Sequence, residues 1–365
     1  MAQSPKFKPV SYAEVVKTFS DQDVQADMTN ACEKLAHAMT SMVVKFDTLV
    51  KQIHTIDLLR HSSPMKPRWD AMRKDLVDHL WHFRTNAAII SGRMRLFESA
   101  VLPMVARSSE ERSGRSTPNR ESLQVLQSYM TISAEHAALA KSLVDANVKF
   151  SQTLLLFLHE ITKNAAKHSP NGQQEMSELH KRLTEFEKHI HWLLVANRDS
   201  TTTNPSHIFF TCSKIVLSSG RAPGQSKLTR RPLLLDGDLT GVGQAYEQSD
   251  RKRNEVAHAQ YTAQMRQNRT DPLATAHSML SSFLLDTLLM TESGLSLFLS
   301  IWSRLRTDCM EVFQWLKDPK MASPIAVTCY LETRGGLYSP LSHALDVYTA
   351  GFDASPLASE KMESR

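Results

Sequence analysis

Glycine is scarce in this 365-residue chain, with 12 residues where average usage of about 7% would supply about 26. Leucine and the 16 methionines are plentiful instead, and that balance favours helices. Cysteine is equally sparse. Cys32, Cys212, Cys309 and Cys329 lie far apart with no C-x-x-C pair, which excludes a disulfide framework standing in for a core. Reduced structural thiols are the expectation, since Cys32 and Cys309 fall at apolar positions of helical repeats, where a free Cys behaves as a small hydrophobe. The first residues hold no continuous apolar stretch ending in a small-residue cleavage site, so a cytoplasmic protein is expected.

Diagnostic chemistry is missing as well. No G-x-x-x-x-G-K-[ST] phosphate loop, no G-x-S-x-G nucleophile elbow and no kinase signature set occurs, and Gly241-Val242-Gly243 alone is no nucleotide fingerprint. His159-Glu160 lacks the second histidine of a metalloprotease helix, because position 163 is Lys163. His79 with His82, and His189 with His191, bring no third ligand by spacing and read as helix-surface histidines. No catalytic residue, metal ligand or cofactor is assigned on this basis.

What is present is helical periodicity. The length of 365 residues allows one large or two ordinary domains, and a hydrophobic content of 41% supplies material for a core. From Met28 the apolar positions run Cys32, Leu35, Met39, Met42, Phe46, Leu49, Ile53, Ile56 in alternating steps of four and three, a coiled-coil-like seam. A second seam runs Trp69, Met72, Leu76, Leu80, Phe83, Ala87, Ile90, Met94, Phe97, Val101, Met104, with a doubled four-step around Leu76. A third interval, 118–167, carries Leu143, Phe150, Leu154, Phe157 and Ile161, and its all-apolar turn 154–158 is expected to be fully buried. A fourth repeats the pattern in Met176, Leu179, Leu183, Phe186, Ile190 and Leu193. Helix starts are expected at Ser11 with Glu14, at Ser20 with Asp23, and at the Ser63-Pro64, Thr117-Pro118, Ser169-Pro170 and Asp271-Pro272 pairs. The expected fold is all-α: an elongated antiparallel bundle of long helices built from 1–199 and completed by 244–318, with a tail beyond 319 that is partly loose.

Residues 200–243 differ in kind, holding five of the twelve glycines and three prolines. They read as a loop-rich insertion whose apolar runs 207–217 and 232–239 could pair as a β-hairpin. Charge is concentrated close by: residues 207–270 contain ten Lys/Arg and five Asp/Glu, while the remainder has 33 of each. Such a segment suits an acidic partner or an anionic membrane surface, with Lys214, Arg221, Lys227, Arg230 and Arg231 as candidate contacts. Nucleic acid is not the expected partner. Asp236, Asp238, Thr240 and Glu247 occupy the first, third, fifth and twelfth places of a calcium loop, with Gly241 at the turn. Pro232 interrupts the helix that should precede such a loop and no second loop pairs with it, so a glycine-rich turn is the stronger reading.

Residues 279–301 form the most apolar run and are long enough for a membrane span. Eleven Leu, Ile or Phe residues favour insertion by about 3 to 7 kcal/mol, and Asp286 with Glu292 oppose it by about 5 to 7. The run is therefore poised between a buried core helix and one that enters lipid conditionally, with Phe283, Leu288 and Leu289 as the contacts. A bundle of very long helices, an apolar insertion, and a last helix carrying Leu295, Phe298, Trp302, Leu305, Cys309, Val312 and Leu316 together resemble the α-helical pore-forming toxins of the cytolysin A and haemolysin BL type. That architectural resemblance implies a form that oligomerises and inserts 207–239 or 279–301 into lipid. Three functions stay open: a non-catalytic interaction or scaffold bundle, which needs only what the residues carry; a conditionally membrane-inserting protein; and a helical-bundle enzyme with a site built from scattered residues.

Overall fold

A computed structural model of the chain describes residues 11–58, 64–111, 120–165, 272–318, 320–333 and 336–352, together with positions 181, 212, 213 and 216. Among the described residues the elements are α1 (Tyr12–Phe19), α2 (Gln22–Leu58), α3 (Lys66–Leu96), a π turn (Phe97–Val101), α4 (Leu102–Glu111), α5 (Arg120–Ala165), α6 (Pro272–Lys317), α7 (Ile325–Thr333) and α8 (Tyr338–Ala350), with no strand. The possible hairpin, the calcium-like loop and the helix around Met176 to Leu193 lie outside the described residues.

Among the described residues the seams close a bundle of four long helices. Phe46 of α2 stacks on Trp69 of α3 at 3.7 Å between ring centroids, and Asp57 near the end of α2 meets Met65 at the start of α3 while the earlier Asp47 pairs with the later Arg73 at 2.5 Å, so α2 and α3 run antiparallel. Trp69 meets Phe157 of α5 while Tyr129 of α5 donates to the Arg93 carbonyl, which sets α3 and α5 antiparallel in turn. Phe283 of α6 lies edge-on to Phe46 and Gly294 of α6 lies against Met39, so α6 runs opposite to α2. Each helix thus has two antiparallel neighbours, with α6 packed along both α5 and α2. The bundle's fourth member is therefore α6, supplied from beyond the insertion.

Every position of the first seam from Met28 to Ile53 is buried, as is the second from Trp69 to Val101. The turn 154–158 departs from expectation: Leu154, Leu155, Phe157 and Leu158 are buried, but Leu156 is 67% exposed. A helix on the outside of a four-helix square keeps one stripe toward solvent, and Leu156 falls on it. Gly294 is needed for close approach, because a Cβ there would lie 3.1 Å from the Phe83 ring.

Helix starts follow local chemistry, and not always from the expected residue. Ser11 and Glu14 form the capping box of α1, with Glu14 N–H donating to Ser11 Oγ and Ser11 N–H to the Glu14 carboxylate at 3.0 Å. For α2 the cap is Asp21, which accepts from Asp23 N–H at 3.0 Å, while Ser20 closes α1. At the start of α3 the carboxylate comes from the end of α2: Asp57 accepts from Met65 N–H at 2.7 Å and Lys66 N–H at 2.9 Å. The second seam is also broken by the π turn. Pro103 supplies no N–H and crowds the carbonyl four residues earlier, and the helix adjusts just before it, with Leu102 N–H reaching back five residues to the Phe97 carbonyl. The extra residue brings Leu102 and Val105 inward beside Val101.

The stretch beyond 319, expected as mixed and partly loose, contains two helices. Residues 325–333 and 338–350 form α7 and α8, and α8 buries Tyr338, Leu341, Ala344, Leu345 and Tyr348 against α3 and α2. Both helices are short, 9 and 13 residues, so neither sustains a period long enough to read as a seam. Residues 334, 335 and 353–365 of that tail lie outside the described set.

Candidate functional site

Charge enters the core where α1, α6 and α8 meet. Asp308 and Arg304 flank the apolar seam of α6 one turn apart, and Arg304 Nε donates to Asp308 Oδ1 at 2.8 Å. Tyr12 of α1 donates to Asp308 Oδ2 at 3.2 Å, and Tyr338 of α8 donates to the same oxygen. Arg304 also reaches Glu311 at 3.5 Å and lies over the Tyr12 ring at 5.2 Å. Burial raises both phenols well above their ordinary value, and the Asp308 charge pushes the same way. Burial works against the Arg304 cation, yet the adjoining carboxylate outweighs it and holds the guanidinium more firmly protonated than usual.

A carboxylate that already receives a guanidinium and two phenols has its acceptor sites committed. Proton transfer to a substrate would require breaking those bonds, so the arrangement does what buried satisfied networks do: it fixes α1 and α8 on α6.

Two further polar contacts behave similarly. Glu98, on the π turn, accepts backbone hydrogen bonds from Gly336 and Ser339, while its burial raises its carboxyl above the ordinary range. It thereby supplies the cap that α8 lacks from its own N-cap residue, Leu337. His79 corrects the expectation of surface histidines: it is 4% exposed and bonds Asn147 of α5 at 3.0 Å. Burial lowers its pKa to about 4, with the Asn147 bond opposing. His82, three residues on, is exposed.

The four cysteines are free and buried. Cys32 and Cys212 line one apolar internal cavity of about 10 Å³ with Met28, Leu297, Ile301 and Leu345, room for about one water-sized sphere. Burial pushes the Cys32 thiol up to about 12 and raises the other three above their usual value, the opposite of what a thiolate nucleophile needs. Among the described residues no three His, Cys, Asp or Glu side chains converge as metal ligands would.

Of the candidate contact residues, Lys214, Arg221, Lys227, Arg230 and Arg231 lie outside the described residues. Leu288 and Leu289 are on α6, with side chains outside the described set. Phe283 faces inward, 2% exposed, with its ring 5.3 Å from that of Phe46. Among the described residues no helix is long and apolar enough to cross a membrane. No protein-family model matches the chain, and no curated protein or solved structure matches it at a significant level.

The cluster residues Tyr12, Arg304, Asp308 and Tyr338 escape sequence reasoning because their partners lie up to 296 positions apart. One signal was there: Arg304 and Asp308 are an i, i+4 ion pair beside Leu305 and Cys309 of an otherwise apolar seam.

Proposed function

We propose that the chain is a non-catalytic helical-bundle interaction protein, which holds an acidic partner on exposed faces while its core stays closed. The observation that carries this reading is the commitment of the buried reactive groups: Asp308, Arg304 and the two phenols to one another, His79 to Asn147, and the thiols to apolar packing. These groups join helices, and the small cavity beside Cys32 admits no substrate. The acidic character of the partner follows from the sequence, whose whole positive excess falls within 207–270.

Conditional membrane insertion has a structural cost to meet. Leu280, Phe283, Leu284, Leu295, Phe298 and Ile301 of the 279–301 run are all core residues, and entering lipid would strip them from α2, α3 and α5. The experiment is co-sedimentation of the purified chain with phosphatidylserine-containing and neutral vesicles, scored for binding and dye release, beside binding to a polyglutamate probe. Salt-sensitive polyglutamate binding without dye release is the expected result. Dye release would transfer the function to membrane insertion, and no interaction with any probe would remove the acidic-partner reading.

A further inference from the structure

The outward stripe of α6 beyond the buried cluster carries Arg306, Met310, Phe313 and Lys317, at successive steps of four, three and four, so they share one face. Met130 of α5 stands opposite, and Met130, Arg306, Met310, Phe313 and Gln314 line an open groove of about 320 Å³ between the two helices. Arg306 is exposed, and Met130, Met310 and Phe313 are half-buried. Lys317 Nζ sits 4.3 Å from the centre of the Phe313 ring, closing one end of the groove with a second cation.

The charge of this stripe is not neutralised along its own helix. Three and four positions either side of Arg306 stand Trp302, Ser303, Cys309 and Met310; around Lys317 stand Phe313, Gln314, Lys320 and Met321. None is acidic, whereas the inward Arg304 has both Asp308 and Glu311. The face is therefore an apolar strip with a cation at each end, the two separated by eleven residues, or about 16 Å of helix.

We propose that this α5–α6 groove docks an amphipathic helix of a protein partner, seating apolar residues on Met130, Met310 and Phe313 and carboxylates on Arg306 and Lys317. The concave trough between two packed helices matches a third cylinder rather than a flat lipid surface, and methionine and phenylalanine side chains adapt to an apolar helix face. Carboxylates about three turns apart, with apolar residues at the fourth and seventh positions after the first, satisfy the stripe in antiparallel register. The inference rests on the interaction reading above and gives that reading a place and a partner chemistry.

The test uses the full chain and a fluorescein-labelled synthetic helix of alanine and glutamine, carrying two glutamates eleven positions apart with leucines at the fourth and seventh positions after the first. Fluorescence anisotropy is expected to show saturable, salt-weakened binding, reduced about tenfold by Arg306→Glu, as expected for loss and reversal of one rim charge. The same peptide with lysine for one of its two glutamates, which pairs the lysine with the new carboxylate and the remaining glutamate with Lys317, is expected to recover binding to Arg306→Glu. Circular dichroism of the variant should match the parent, because Arg306 is exposed. Peptide binding indifferent to Arg306→Glu and Lys317→Glu overturns the groove while leaving an acidic-partner protein in place; no binding to this peptide, to polyglutamate or to anionic vesicles overturns both. A dimer of the chain that Arg306→Glu dissolves would give the groove to a second copy, and vesicle binding lost on that substitution without peptide binding would give it to lipid; either result overturns the proposal.

Discussion

Arg304 and Asp308 stand one turn apart on α6 with side chains 5% and 0% exposed, and their ion pair joins three helices because Tyr12 and Tyr338 close on the same carboxylate. Removing one partner strands a buried charge, which costs far more than the pair is worth as a unit. Arg304→Met is expected to lower unfolding stability by about 3 to 5 kcal/mol, and Tyr338→Phe by about 1 to 2 kcal/mol. The double variant Arg304→Met/Asp308→Leu should recover much of the loss. Urea titrations decide this, and a loss under about 1 kcal/mol for Arg304→Met would mean the Asp308 charge reaches water.

His79 gives the fold a pH dependence of definite sign. Its pKa is about 4 in the folded chain and about 6.5 when unfolded, so between those values the unfolded state binds the extra proton. Stability should be complete above about pH 6.5, fall as pH drops from there to about 4, and level off below, with a total of about 3 kcal/mol. His79→Gln, which keeps a hydrogen-bonding group but does not titrate, is expected to remove this component. Equal slopes for both proteins over that window would place His79 in contact with solvent.

Glu98 and Gly336 are fitted to each other. A Cβ on Gly336 would lie 2.8 Å from Glu98 Oε1, so Gly336→Ala must displace the carboxylate that caps α8. Glu98→Ala and Gly336→Ala should each cost about 1 kcal/mol, a typical cap loss, and the double variant should cost little more than either alone. Hydrogen exchange should speed up in the first turn of α8 in all three; full additivity would separate the two residues.

Asn86 is 5% exposed, and among the described residues neither of its amide atoms has a hydrogen-bond partner. An apolar side chain of similar volume avoids that desolvation, so Asn86→Leu is expected to raise stability by about 1 to 2 kcal/mol. Thermal unfolding measures it, and a fall in stability would reveal a polar neighbour that the amide serves.

The helical class, the seams from Met28 to Ile53 and from Trp69 to Val101, and the buried Cys32 and Cys309 were legible in the sequence, because period and burial are local properties of a long amphipathic helix. What local pattern could not supply was long-range pairing. That α6 closes the square, that Asp57 caps α3 from the preceding helix and that Glu98 caps α8 all depend on residues far apart in sequence or on topology. Pro103 was visible, yet its consequence, a π turn that rotates Val101, Leu102 and Val105 into the core, emerges only when the neighbouring helices are in place. Leu156 and His79 failed for a related reason: a residue's type does not reveal which face of its helix the other three helices cover.

Whether the bundle acts as a closed frame is tested by hydrogen exchange of α6 over residues 279–301 with and without phosphatidylserine-containing vesicles. Exchange is expected to be equally slow in both conditions, since Leu280, Phe283, Leu295 and Phe298 remain in the core. Accelerated exchange there on adding vesicles, together with dye release, would contradict it.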